Sequence, residues 1–231
     1  MYGGVDASSR KEDRRKRLIE AGLEAFGTEG YVRTTIKTLC GLAGLTERYF
    51  YESFKSKEEL LIAVYREITN EMWQEGVAIL ENGSLSPLEA SKHALREFYQ
   101  YFKRDPRKAQ IHFFEILGVS RTVDIEYREA MRFLVEMLKY FLIRAYPNLT
   151  LERLNKSNVP TGLAGAMVMI CCQWILNSFK PPLEDIIDDS MDFFVALGRH
   201  LDEKPQARRH QQTVGSKAMK LEKRAPRKTA L

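Results

Sequence analysis

Apolar residues in this chain recur three and four positions apart, segment after segment, and do not alternate. That spacing gathers them on one face of a helix, whereas a half-buried strand would place them at every second residue. Glycine and proline number 14 and 8 in 231 residues, so they punctuate the helical runs rather than interrupt them. Hydrophobic residues make up 44% of the chain, enough for a packed core and too many for global disorder. The expected fold class is all-α.

Residues 1–9 carry no apolar pattern and read as a disordered amino terminus. A helix is expected from about Arg10 to Thr28, with Leu18, Ile19, Leu23, Ala25 and Phe26 on one face and Gly27 and Gly30 ending it. Thr34 and Thr35 offer cap hydroxyls to a short helix of about 36–43, which Gly44 breaks. Thr46 caps a third helix to about Ser53, with Phe50 and Phe54 facing inward. Ser56 and Glu59 have the spacing of a capping box for a fourth helix reaching about Leu80. Further helices are expected from Pro87 to Lys103, Asp105–Pro106 to Leu117, Val123 to Tyr146, Pro160 to Phe179 and Leu183 to Leu201. Residues 148–159 read as a polar loop with room for one short turn.

The formal charge of +5 is unevenly placed: residues 203–231 carry +7 and everything before them −2. The basic balance therefore describes a tail, read as disordered, and does not by itself make the folded part a nucleic-acid binder. That tail either adds non-specific DNA affinity through counterion release or is merely a solvated end. Three cysteines, Cys40, Cys171 and Cys172, do not make a disulfide framework. The opening residues are too polar for a signal peptide. The apolar stretch from Val159 to Phe179 is interrupted by Thr161, Gln173, Asn177 and Ser178, and reads as a buried or interfacial helix. Together these features place the protein in the cytoplasm, with no membrane partner.

Two short helices joined by a tight turn, the second opening at Thr46, match the helix-turn-helix plan. In that plan the second helix enters the major groove with its first residues at base edges. Arg48 can bind guanine O6 and N7 with two hydrogen bonds. The hydroxyls of Thr34, Thr35 and Thr46, together with Tyr51 and Lys57, are phosphate-binding types at element ends. Three-helix segments with threonine caps also occur in proteins that bind no DNA, and Glu47 and Glu52 bring negative charge to the same helix.

The ordered run Arg17-Leu18-Ile19-Glu20-Ala21-Gly22, Phe26, Gly30-Tyr31, Thr34-Thr35, Ala43-Gly44-Leu45-Thr46, Phe50-Tyr51, Phe54 and Ser56-Lys57-Glu58-Glu59-Leu60-Leu61 closely resembles the amino-terminal domain of TetR-family transcriptional regulators. The resemblance covers about Arg10 to Leu61. It implies a helix-turn-helix DNA-binding domain at 10–56, a helical ligand-binding and dimerisation domain at 57–202, and the tail at 203–231. It further implies a homodimer, usually a repressor, that binds a palindromic operator in double-stranded DNA and releases it when a small molecule enters the body. By position, Thr34, Thr35, Tyr51 and Lys57 would hold phosphates, while Thr46, Arg48 and Tyr49 would meet bases or nearby backbone. The chain departs from the pattern at Arg48, where a glycine is common, at Ser53 in place of a frequent histidine, at Glu52, and at Cys40-Gly41.

In the last two helices Gly162, Ala164, Gly165 and Ala166 would allow close approach of a second copy, and Met167, Ile170, Trp174, Ile175, Phe193, Phe194 and Leu197 supply apolar surface. The same faces could instead form the monomer's core. Aromatic density in the body suggests a pocket for a small, largely hydrophobic effector. Phe102, Phe113, Tyr127 and Trp174 are candidate walls, and His112, Glu115 and Gln173 candidate polar contacts. Such a stripe is also what an ordinary core looks like. No catalytic constellation, metal quartet or cofactor motif is present, so neither an enzyme nor a cofactor is expected. A helical interaction module without DNA activity is the rival reading, and an activator is the milder alternative to a repressor.

Overall fold

The computed structural model describes residues 4–81 and 83–203. Ten α-helices are found among them: α1 (Gly4–Thr28), α2 (Ile36–Ala43), α3 (Glu47–Ser53), α4 (Lys57–Glu81), α5 (Pro87–Arg104), α6 (Pro106–Gln110), α7 (Arg121–Ala145), α8 (Leu151–Asn155), α9 (Val159–Leu176) and α10 (Leu183–Glu203). A π-helical turn, Ile111–Glu115, follows α6. The chain is thus all-α over the described residues, a head of three helices on a helical body. The basic tail expected at 203–231 lies outside the described residues apart from Glu203.

The caps explain most boundaries. Thr35 accepts from the Thr38 amide at 3.1 Å and starts α2. Gly44, at φ +61°, ends it in a Schellman arrangement, with Leu45 N–H on the Cys40 carbonyl at 2.9 Å and Gly44 N–H on Gly41 at 3.2 Å. Ser86 and Glu89 form a reciprocal capping box at the start of α5. At α4 the box is displaced by one residue: Ser56 Oγ accepts from Glu59 N–H, but the Glu59 carboxylate accepts from Lys55 N–H instead.

Three expectations need correction. The first helix opens at Gly4, six residues before Arg10; the stretch it continues into, 10–17, is rich in helix-favouring Lys, Glu and Arg with a local Asp13–Arg17 pair, and neither stretch carries an apolar stripe to mark a start. Gly27 does not end that helix; it lies inside it, where an added Cβ would stand 2.4 Å from Arg107 Cβ, so its role is to let α6 approach. The helix expected through Leu117 changes at Ile111 into the π turn. The one short turn allowed for in 148–159 is the single-turn helix α8, capped by Thr150.

In the head, Leu18, Ala25 and Phe26 of α1 meet Leu39 and Ala43 of α2, Phe50 of α3, and Leu60, Leu61 and Val64 of α4, all buried. Gly22 brings α1 against Val64 and Leu60. The first two turns of α4 therefore complete the head's core, and the same helix continues into the body. α6 and the π turn also pack on α1. The body core is built around Tyr99, Phe102, Trp174, Leu142 and Phe194. There Gly198 admits the Tyr146 ring into α10, at a position where any Cβ would clash with it.

Candidate nucleic-acid interface

Phe50 turns inward and fixes the rotation of α3; its neighbours must then turn outward. Thr46, Glu47, Arg48, Tyr49, Tyr51 and Glu52 are all exposed. Thr46 occupies the N-cap position, yet its hydroxyl makes no capping hydrogen bond, which leaves it available at the positive end of the helix dipole. The Arg48 side chain is 84% exposed and its Nε lies 3.0 Å from Glu52 Oε1. Glu52 also sits 3.7 Å from Arg14, so its charge is balanced by two guanidiniums. Tyr49 carries the Arg14 guanidinium over its ring at 4.6 Å, and Tyr51 leans edge-on against Phe50. Thr35 is exposed at the start of α2, its hydroxyl 2.9 Å from that of Thr38. Lys37 and Lys55, which sequence reasoning passed over, add exposed ammonium groups on either side.

Two of the seven residues expected at DNA face inward. Thr34 is only 1% exposed, and its hydroxyl donates to the Gly30 carbonyl at 2.8 Å. Lys57 donates to the carbonyls of Tyr31 and Thr34, each at 2.7 Å, and lies 4.2 Å over the Tyr31 ring. Burial draws its ammonium below the ordinary lysine pKa. Both side chains brace the loop between α1 and α2. Three further residues, missed in the sequence, do related work: Arg17 donates to the Ala43 and Gly44 carbonyls, Arg15 to Ser53, and Arg14 covers Tyr49. Cationic side chains at helix carboxyl ends stabilise carbonyls that the helix leaves unpaired. The basic run Arg14-Arg15-Lys16-Arg17 was the available signal.

In the body, a cavity of about 80 Å³ lies between α4, α5 and α7, floored by α9 and α10. Met72, Trp73, Leu95, Phe98, Phe133, Met137, Met167 and Phe194 are among its walls, with Glu75 and Glu97 as its ionisable members. None of the six expected ligand contacts lines it. Phe102, His112 and Phe113 do come together, with ring centroids 4.7–5.2 Å apart, but as buried core beside Tyr65. Trp174 is core as well, its indole N–H on the Pro181 carbonyl at 2.7 Å. Tyr127 is half-buried on α7, and Gln173 is exposed on α9. His112 is wholly buried with Nδ1 unpartnered, and desolvation pushes its pKa down to about 3. Glu115, also expected in the pocket, accepts instead from the Tyr31 amide at 2.7 Å and ties the π turn to the head.

Residues 18–64, the segment that builds the head, match the profile of the bacterial regulatory proteins of the tetR family. By this head, the chain is similar to the TetR family. Over 68 residues it is 32% identical to the HTH-type transcriptional regulator BetI of Rhizobium meliloti, covering 29% of this chain and 34% of that protein. The chain thus spans about a third of the length of the curated relatives it matches. Solved TetR-like structures extend the likeness to the body, as fold alone. The fatty acid degradation regulator FadR of Bacillus halodurans superposes with a TM-score of 0.67 at 14% identity, covering 78% of this chain and 94% of that one. FadR of Bacillus subtilis in complex with stearoyl-CoA gives 0.62 at 18%, covering 78% and 97%. SmeT, the repressor of the Stenotrophomonas maltophilia multidrug efflux pump SmeDEF, gives 0.62 at 18%, covering 80% and 91%.

Proposed function

We propose that this protein is a cytoplasmic transcriptional regulator that binds a palindromic operator as a homodimer and releases it when a small apolar effector enters the body. The outward face of α3 carries the reading: Thr46, Arg48, Tyr49 and Tyr51 are presented together on a helix whose rotation Phe50 fixes. Arg48 reads a base, Thr46 and Tyr49 meet bases or adjacent backbone, and Thr35 and Tyr51 hold phosphates. Thr34 and Lys57 contribute by holding the turn that aims the helix. Nothing in this arrangement resembles a reaction centre, and the function is binding rather than catalysis.

One such head is too small for tight specific binding, and a two-fold pair spaced by a helical turn of DNA supplies the rest. α9 supports pairing. It is apolar enough to cross a membrane by length and composition, yet only 33% of it is buried. Its outward stripe runs through Gly162, Gly165, Met169 (60% exposed) and Leu176 (64%), joined by Phe193 of α10 (49%). An added Cβ at Gly162 or Gly165 would meet nothing within 4 Å, so the backbone is open to a second copy there. Ala164, Met167 and Trp174, grouped with this face in the sequence, point into the monomer instead. An exposed apolar stripe of this kind is what an isologous interface covers.

Release follows from α4, which is anchored to the head loop by Lys57 and lines the cavity with Trp73 and Gly76. Lys57 and those two cavity positions are about 24–28 Å apart along the axis. At about 80 Å³ the cavity is smaller than the roughly 300–1,000 Å³ that a drug-sized ligand occupies, so filling it requires these helices to part. A ligand that prefers the parted state displaces α4 and with it the head. The test is to incubate the purified protein with sheared genomic DNA and sequence what it retains. Recovery of fragments sharing an inverted repeat is expected; recovery no different from input DNA overturns the reading.

A further inference from the structure

We infer that the effector is an elongated apolar molecule ending in a cation, an alkyl- or arylammonium rather than a fatty acid or a neutral lipid. This deepens the reading of the cavity as an effector site and rests on it.

Apart from Ser91, Glu75 and Glu97, the walls are aliphatic, aromatic and thioether side chains and the Gly76 backbone, so the body of the occupant must be apolar. Met72, Met137 and Met167 give flexible, polarizable surfaces that adapt to a chain or a ring. Both ionisable residues on the wall are acids, Glu75 of α4 and Glu97 of α5. Each is half-buried, which places them where the cavity meets solvent. Glu97 is already paired, with Arg104 at 3.0 Å and His93 at 3.8 Å.

Glu75 has no hydrogen-bonded or ion-paired partner among the described residues. Arg104 and Lys108 act on it only at longer range, opposed by Glu97 and Glu71. Burial already holds its carboxyl above the usual range, the sign of a group short of solvation. A cation seated beside it replaces the missing solvation, whereas a carboxylate or phosphate would add like charge to a desolvated acid. Trp73, Phe98 and Phe133 are aromatic members of the same wall, the residue type that attracts a cation.

The experiment is isothermal titration of the full-length protein with decyltrimethylammonium, decanol and decanoate below their micelle concentrations. Expected affinities fall in that order, with the cation at least about tenfold tighter than decanoate. Glu75→Gln, nearly isosteric, should lower affinity for the cation about tenfold and leave decanol unchanged. Decanoate binding as tightly as the cation, or an equal loss for cation and alcohol in Glu75→Gln, overturns the proposal while leaving the cavity as the effector site. The ranking in the unaltered protein needs no variant to fold. If none of the three binds, or if cation binding is untouched when Ala94→Phe fills the cavity, the cavity reading fails and this inference with it.

Discussion

Lys57 gives two N–H bonds to backbone carbonyls, which leaves a single donor for anything outside. Hydrogen bonds from a charged group contribute about 1.5–3 kcal/mol each. Lys57→Met should therefore lower the stability of the head by an amount in that range, read by urea unfolding, while barely changing how DNA affinity varies with salt. Unchanged stability with a flattened salt dependence would return Lys57 to the phosphate-contacting set. His112 offers a pH test. Its ring is neutral in the fold, with a pKa of about 3 against about 6.5 in the unfolded chain. Between those values the unfolded chain binds the proton and the fold does not. The stabilisation is thus complete above about pH 6.5 and is lost as pH falls, by up to about 1.4 kcal/mol per pH unit. His112→Phe should remove that slope, and parallel stability curves for the two proteins from pH 7 to 4.5 would contradict it. Residue type was readable at both positions, but side-chain direction was not. A threonine or lysine that suits a phosphate equally suits a carbonyl, and only the packed loop decides.

Most helices were foreseen because amphipathic spacing and cap residues are local signals, and α2 and α3 fall where Thr35, Gly44 and Thr46 put them. The exceptions are elements whose cause is distant. The π turn forms where His112 stacks on Tyr65 at 5.1 Å, a contact made by α4, and α8, allowed for as one short turn, is too short to carry a period. Gly27 likewise looked like a helix stop, because its true partner, Arg107, is far away in sequence. Its substitution tests the seam between head and body. In Gly27→Ala the new methyl falls 2.8 Å from the Arg107 Cα, so backbone must move, at a cost of about 1–3 kcal/mol. Thermal unfolding should show a lower Tm, whereas an unaltered Tm would mean that α6 is not held closely against α1.

At the scale of the molecule, the two functional surfaces differ in how far they could be foreseen. Which residues of α3 turn outward was readable, since a helix of seven residues with one buried phenylalanine has few possible orientations. The rings expected around an effector pack as core and the cavity lies elsewhere in the body, because an aromatic stripe does not say which of its rings close a core and which border a space. The small residues of α9 divide between inside and outside, which spacing alone does not resolve. Met169→Glu puts a charge into the proposed isologous contact twice over. It should yield monomers in sedimentation velocity at concentrations where the unaltered protein is a dimer; an unchanged sedimentation coefficient would move the interface elsewhere.

The face of α3 itself is tested by fluorescence anisotropy, titrating a duplex recovered from genomic DNA and a scrambled duplex of the same composition with the full-length protein and its Arg48→Ala variant. The unaltered protein should prefer the recovered duplex by at least about 10³-fold, and the variant should lose about 1–3 kcal/mol on that duplex with a relaxed base preference. Equal binding of the two duplexes by the unaltered protein, or no binding to either at low ionic strength, would contradict the account.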